Sequence, residues 1–163
     1  MKIAQIQMNV SADKSANITR ACNMIRWAGP IDMAVLPEMF CCPYDNSCFG
    51  DYAEAEGGEA YQAMSAVAKE KGIYLVGGSI PELCEGKLYN TCYVFDPEGK
   101  CIARHRKTHL FDIDVEGGQS FREIAEGSER HDLFVHVGGA GAVHEHDGGD
   151  GGTGVIRQGQ QTL

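Results

Sequence analysis

The run Met33-Ala34-Val35-Leu36, closed by Pro37, constrains the fold more than any other stretch of the chain. Four successive apolar residues without alternation fit a strand covered on both faces, and such strands belong to sheets flanked by helices. What precedes the run agrees. From about Asp13 to Ala28, the residues Ile18, Ala21, Cys22, Ile25 and Ala28 recur at helical spacing, and Gly29-Pro30 stops the helix. Residues 2–8 read as a short strand before it. A β–α–β unit is the economical interpretation, and with it an α/β fold.

Further along, residues 38–58 are rich in Pro, Asp, Asn, Gly and aromatics and read as one long loop, a length that in compact domains usually serves a function. Residues 59–71 form a second amphipathic helix, with Ala60, Ala63, Met64, Val67 and Ala68 on one side and Gly72 as its stop. Strands follow at 73–80 and 88–95. The turn Asp96-Pro97-Glu98-Gly99 leads into another near 100–104. The expected architecture is one sheet with two helices.

A chain of 163 residues holds one domain with a real core. Its net charge of −9 argues against a nucleic-acid or anionic-membrane partner, since both need a basic patch and Arg104-His105-Arg106-Lys107 is too short to be one. No stretch has membrane-spanning length, and the first residues hold no apolar signal-peptide region, so a cytoplasmic location is expected. The seven cysteines are odd in number and lack paired zinc spacing, as expected of reduced thiols rather than a disulfide framework.

Two residues suggest chemistry. Glu38 stands just beyond the buried-type strand, at the mouth of the long loop, where open α/β sheets place functional groups. It suits a general base, although alone it also reads as a strand-end carboxylate facing water. Lys107 closes another expected strand, where its ammonium suits a developing oxyanion; alone it is equally a solvated surface lysine.

Taken together with their surroundings, these residues resemble the nitrilase superfamily of carbon–nitrogen hydrolases, most closely its omega-amidase branch. Leu36-Pro37-Glu38-Met39-Phe40, Leu88-Tyr89-Asn90-Thr91 and Arg106-Lys107-Thr108-His109-Leu110-Phe111-Asp112-Ile113-Asp114 occur in the family's order and spacing. So do Pro43-Tyr44, Tyr52-Ala53-Glu54, Gly77-Gly78-Ser79-Ile80-Pro81-Glu82 and Phe121-Arg122-Glu123. The resemblance covers residues 2–123. It implies a Glu–Lys–Cys amidase acting on omega-amides of small dicarboxylic or 2-oxo acids, with no metal and no cofactor. Glu38 would be the base, Lys107 the oxyanion lysine, Glu123 the second glutamate that orients the lysine, and Tyr44 a pocket residue. The fold it implies is a four-layer α-β-β-α sandwich.

The same resemblance places the nucleophilic cysteine beyond the lysine, and the chain has no cysteine after Cys101. Cys41, Cys42 and Cys48 lie in the family's substrate loop, where no nucleophile is expected. Residues 1–123 therefore read as a truncated and inactive hydrolase domain with one sheet face left bare. Such a face favours aggregation or self-association into a homo-oligomer. The alternative is a non-catalytic half-sandwich that serves as an interaction module.

Residues 124–163 contain neither Cys nor Lys, and glycine is their commonest residue. They read as a disordered tail or the product of a frameshift, with one further strand conceivable at 131–137. His136, His144, His146, Asp147 and Asp150 include metal-ligand types, but a polar glycine-rich end explains them more simply. Gly148-Gly149-Asp150-Gly151-Gly152 is a single copy and cannot stack as a calcium-binding repeat, and no Gly-Lys-Ser/Thr follows to make a phosphate loop.

Overall fold

The computed structural model describes residues 1–45 and 47–108, together with the backbone of two short strands at 112–114 and 120–122. The element order is β1 (Ile3–Gln5), α1 (Lys14–Trp27), β2 (Met33–Val35), α2 (Phe49–Tyr52), α3 (Glu59–Lys71), β3 (Tyr74–Val76), β4 (Ile80–Cys84), β5 (Lys87–Phe95), β6 (Cys101–Arg106), β7 (Asp112–Asp114) and β8 (Ser120–Arg122). It is the mixed α/β arrangement expected from the apolar run at Met33.

Strands β1 and β3 flank β2 in parallel, with Ala4, Ala34 and Leu75 in register. The long strand β5 joins antiparallel. One of its edges takes β3 at Val94 and Phe95, then β4 from Thr91 back to Lys87; the other edge takes β6. Strands β7 and β8 form a separate antiparallel pair.

The helices form where local signals and tertiary contacts agree. Asp13 caps α1, its carboxylate accepting from Ala16 N at 2.9 Å. α3 ends at Gly72, whose φ of 62° suits glycine. At the start of α3 the Glu54 carboxylate accepts from Ala60 N and Tyr61 N, both at 3.1 Å, and pairs with Lys14 Nζ at 2.7 Å. A single carboxylate thus ties the two long helices to the intervening loop, at the positive end of a helix dipole.

Ile18, Ala21, Cys22 and Ile25 of α1, with Ala60, Met64, Val67 and Ala68 of α3, pack on one sheet face against Ala34, Leu75, Tyr93 and Phe95. Tyr61 stands edge-on to the Tyr93 and Phe95 rings at 5.0 Å. Each large side chain buried there contributes about 1.5–3 kcal/mol. Strand alternation sends Gln5, Val35, Val76 and Val94 to the opposite face. Val94 is buried but lies outside the helix-side core, while Ile3 and Leu83 on that second face are exposed.

Two details differ from the sequence reading. The loop 38–58 contains the one-turn helix α2, whose Phe49 is buried. The strand expected at 73–80 is split, because the backbone at Gly78 turns to φ 58°. A Cβ there would lie 2.0 Å from the Pro37 carbonyl oxygen, so the chain breaks its strand to pack directly on the segment before Glu38. The domain boundary expected near residue 123, the tail strand and the metal-ligand types of the tail lie outside the described residues.

Candidate active site

The second sheet face carries an open cleft of about 260 Å³ lined by Glu38, Gly78, Ser79, Asn90, Cys92, His105 and Lys107. Three elements build it. Leu36 continues the β2 ladder, its N–H donating to Val76 O at 3.0 Å, and the chain then leaves the sheet at Pro37 and Glu38. Met39 follows with φ 50°, a left-handed conformation costly for a non-glycine residue. It is held by burial and by the Ser79 hydroxyl, which accepts from Met39 N at 3.1 Å. The Gly77–Ser79 break between β3 and β4 thereby clamps the backbone on both sides of Glu38.

The third element is the pairing of β5 with β6. Cys92 and His105 face each other across it. One residue beyond β6, Lys107 N donates to Asn90 O at 2.8 Å, extending the ladder. Two donors then converge on one atom: Lys107 Nζ and Asn90 Nδ2 each lie 2.9 Å from Glu38 Oε1. Glu38 and Lys107, 69 residues apart in sequence, are brought together. Their side chains are 48% and 29% exposed, so a solute can reach them. An ammonium has three N–H donors and can serve a carboxylate and a second oxygen at once.

The other expected site residues fall elsewhere. Tyr44 does not line the cleft; its ring stands edge-on to Phe49 at 5.7 Å. Glu123 lies outside the described residues. Sequence reasoning did not single out Gly78, Ser79, Asn90, Cys92 or His105 as site residues. The available signal for Cys92 was its spacing of two from Asn90 on one strand, which puts both on one face. His105 Nδ1 is buried and makes no hydrogen bond.

The chain matches the carbon-nitrogen hydrolase family over residues 2–155. It belongs to that family. Among curated relatives, omega-amidase NIT2 of Mus musculus is 53% identical over 124 residues, covering 75% of this chain and 45% of the mouse protein. Omega-amidase NIT2 of Homo sapiens is 52% identical over the same length and shares. Among solved structures, Saccharomyces cerevisiae Nit3, a member of branch 10 of the nitrilase superfamily, superposes with a TM-score of 0.62 at 37% identity, covering 68% of this chain and 45% of that one. XC1258 of Xanthomonas campestris shares the fold, with a TM-score of 0.62 at 24% identity over 68% of this chain and 41% of that one. The chain spans less than half the length of the curated relatives it matches.

The nucleophile that the family resemblance implies is a cysteine thiol. Cys41 is hydrogen-bonded to Cys42 and buried, and both effects push its thiol far above the usual range; its charged neighbours are Lys14 and Glu54, behind the sheet from the cleft. Cys48 is held protonated by partial burial and by the Asp45 and Asp51 carboxylates. Cys92 does line the cleft, yet burial pushes it up to about 11, leaving on the order of one thiol in ten thousand ionised at neutral pH. None of these three is an activated nucleophile.

Proposed function

We propose that this chain carries the base-and-lysine part of an amidase site for omega-amides of small dicarboxylic or 2-oxo acids. The observation that carries the reading is the convergence of Lys107 and Asn90 on Glu38 in an open cleft. The similarity to omega-amidases supports the substrate class, and a cleft of about 260 Å³ suits a molecule of few heavy atoms.

In the reaction so assigned, Glu38 takes the proton of a cysteine thiol as the sulfur attacks the amide carbon. Lys107 stabilises the resulting oxyanion. Glu38 then protonates the departing nitrogen, which leaves as ammonia, and next activates the water that cleaves the thioester. The sum is amide plus water giving acid plus ammonia. Glu123 would orient the lysine and Tyr44 would contribute to the pocket, both on the family resemblance. Cys41, Cys48 and Cys92 are not activated, so we infer that this polypeptide does not turn the substrate over by itself. An ammonia-release assay on succinamic acid and 2-oxoglutaramic acid tests this. No release above buffer is expected, whereas release that disappears in Glu38→Ala would refute the inactivity.

A second reading, a non-catalytic interaction module, is favoured by the exposed Ile3 and Leu83 on the face away from the helices. It requires a stable, monodisperse oligomer on size-exclusion chromatography.

A further inference from the structure

Chain alternation at the end of β6 separates two neighbouring cations. Lys107 lines the cleft, while Arg106 is bound behind the sheet. The Arg106 guanidinium donates from Nε to Glu82 Oε2 and from Nη2 to Glu82 Oε1, both at 2.9 Å, and its Cζ lies 3.9 Å from the centre of the Tyr89 ring. Glu82 is 1% exposed and also accepts from Thr91 Oγ1 at 2.6 Å. One carboxylate on β4 therefore grips β5 through Thr91 and β6 through Arg106. Thr91 and Arg106 are register partners, and the residue adjacent to each belongs to the site: Asn90 on β5 and Lys107 one residue beyond β6. These are the two residues whose side chains reach Glu38 Oε1.

We propose that Glu82 is a positioning residue for Lys107 and Asn90: the Glu82–Arg106–Thr91 tie fixes where both side chains leave the sheet. A buried ion pair is weak evidence for stability, because desolvation offsets much of its attraction, but a forked pair restricts geometry closely. Glu82 does not line the cleft, so it acts only through the two strands it holds. The inference rests on reading Glu38 and Lys107 as a working pair.

The test is the rate at which individual lysines of the full chain are acetylated by an N-hydroxysuccinimide ester, read by mass spectrometry. An ammonium held on a carboxylate reacts slowly. Glu38→Gln should speed acetylation of Lys107 several-fold. Replacing the tie with apolar residues, as Glu82→Met, Thr91→Val and Arg106→Met together, should do the same while the exposed Lys69 and Lys100 keep their wild-type rates. A several-fold rise with Glu38→Gln but none with the triple variant would overturn the positioning role alone. No rise with Glu38→Gln would overturn the pair, and the functional reading with it. Should Lys69 and Lys100 also speed up in the triple variant, signalling unfolding, Glu82→Gln decides. It keeps the side chain's size and one acceptor, and must raise the Lys107 rate alone, by a smaller factor; an unchanged Lys107 rate there contradicts the proposal.

Discussion

Lys107 Nζ lies 2.9 Å from Glu38 Oε1, although 69 residues separate the two in the chain. The contact is made on the sheet face away from the helices, between a residue just past β2 and one just past β6. Both side chains are partly exposed, which bears on what the contact is for. Water screens such a pair, and its net contribution to folding is at most about 1 kcal/mol. A pair that stabilises so little leaves room for the chemical role proposed for it.

Lys107→Met is accordingly expected to change the free energy of unfolding by less than about 1 kcal/mol in urea titrations. A loss of several kcal/mol would mark the pair as structural and weaken its assignment as base and oxyanion lysine.

Gly78→Ala is expected to be far more costly. The added Cβ would meet the Pro37 carbonyl oxygen at 2.0 Å, and the backbone φ of 58° is unfavourable for alanine. Together these cost at least about 2 kcal/mol, and relief requires the Pro37-Glu38 segment to move. Denaturant unfolding gives the first number. An amide NMR spectrum should show its largest changes at residues 36–39 rather than in α1 or α3.

Acid stability should depend on Glu82. Burial raises its pKa, but the Arg106 fork, the Thr91 hydroxyl and Arg104 outweigh that, and the net result lies below the ordinary value of 4.5. A carboxyl whose pKa is depressed by folding stabilises the protein fully above its unfolded value. That contribution is lost as pH falls through the folded value. Melting temperatures measured from pH 7 down to pH 3 should therefore drop more steeply below about pH 4.5 for the native chain than for Glu82→Gln. Parallel curves would contradict the role given to Glu82.

Much of the fold was legible because its signals are local. The unbroken apolar run at Met33, the helical spacing of Ile18, Ala21, Cys22 and Ile25, and the stop at Gly72 each need only neighbouring residues to act. Glu38 and Lys107 were legible as candidates because strand ends are where α/β sheets expose functional groups, and because their surroundings resemble a known family. What was not legible depends on strand register. That Arg106 turns away from the cleft to Glu82 while Lys107 turns into it follows from the pairing of β6 with β5, which no local pattern specifies. Cys92 and His105 became site-lining residues through the same pairing. The break at Gly78 is imposed by the Pro37 carbonyl, a contact between segments about forty residues apart.

The Glu38–Lys107 cleft is proposed to receive a small omega-amide. The most direct test is a titration of the full chain with succinamic acid, followed by the backbone and side-chain amide signals of Ser79, Asn90, Cys92 and His105. Saturable shifts are expected at these residues, weakening at least several-fold in Glu38→Gln, with signals of α1 and α3 unmoved. Unsaturable shifts, or saturable ones indifferent to Glu38→Gln, would contradict it.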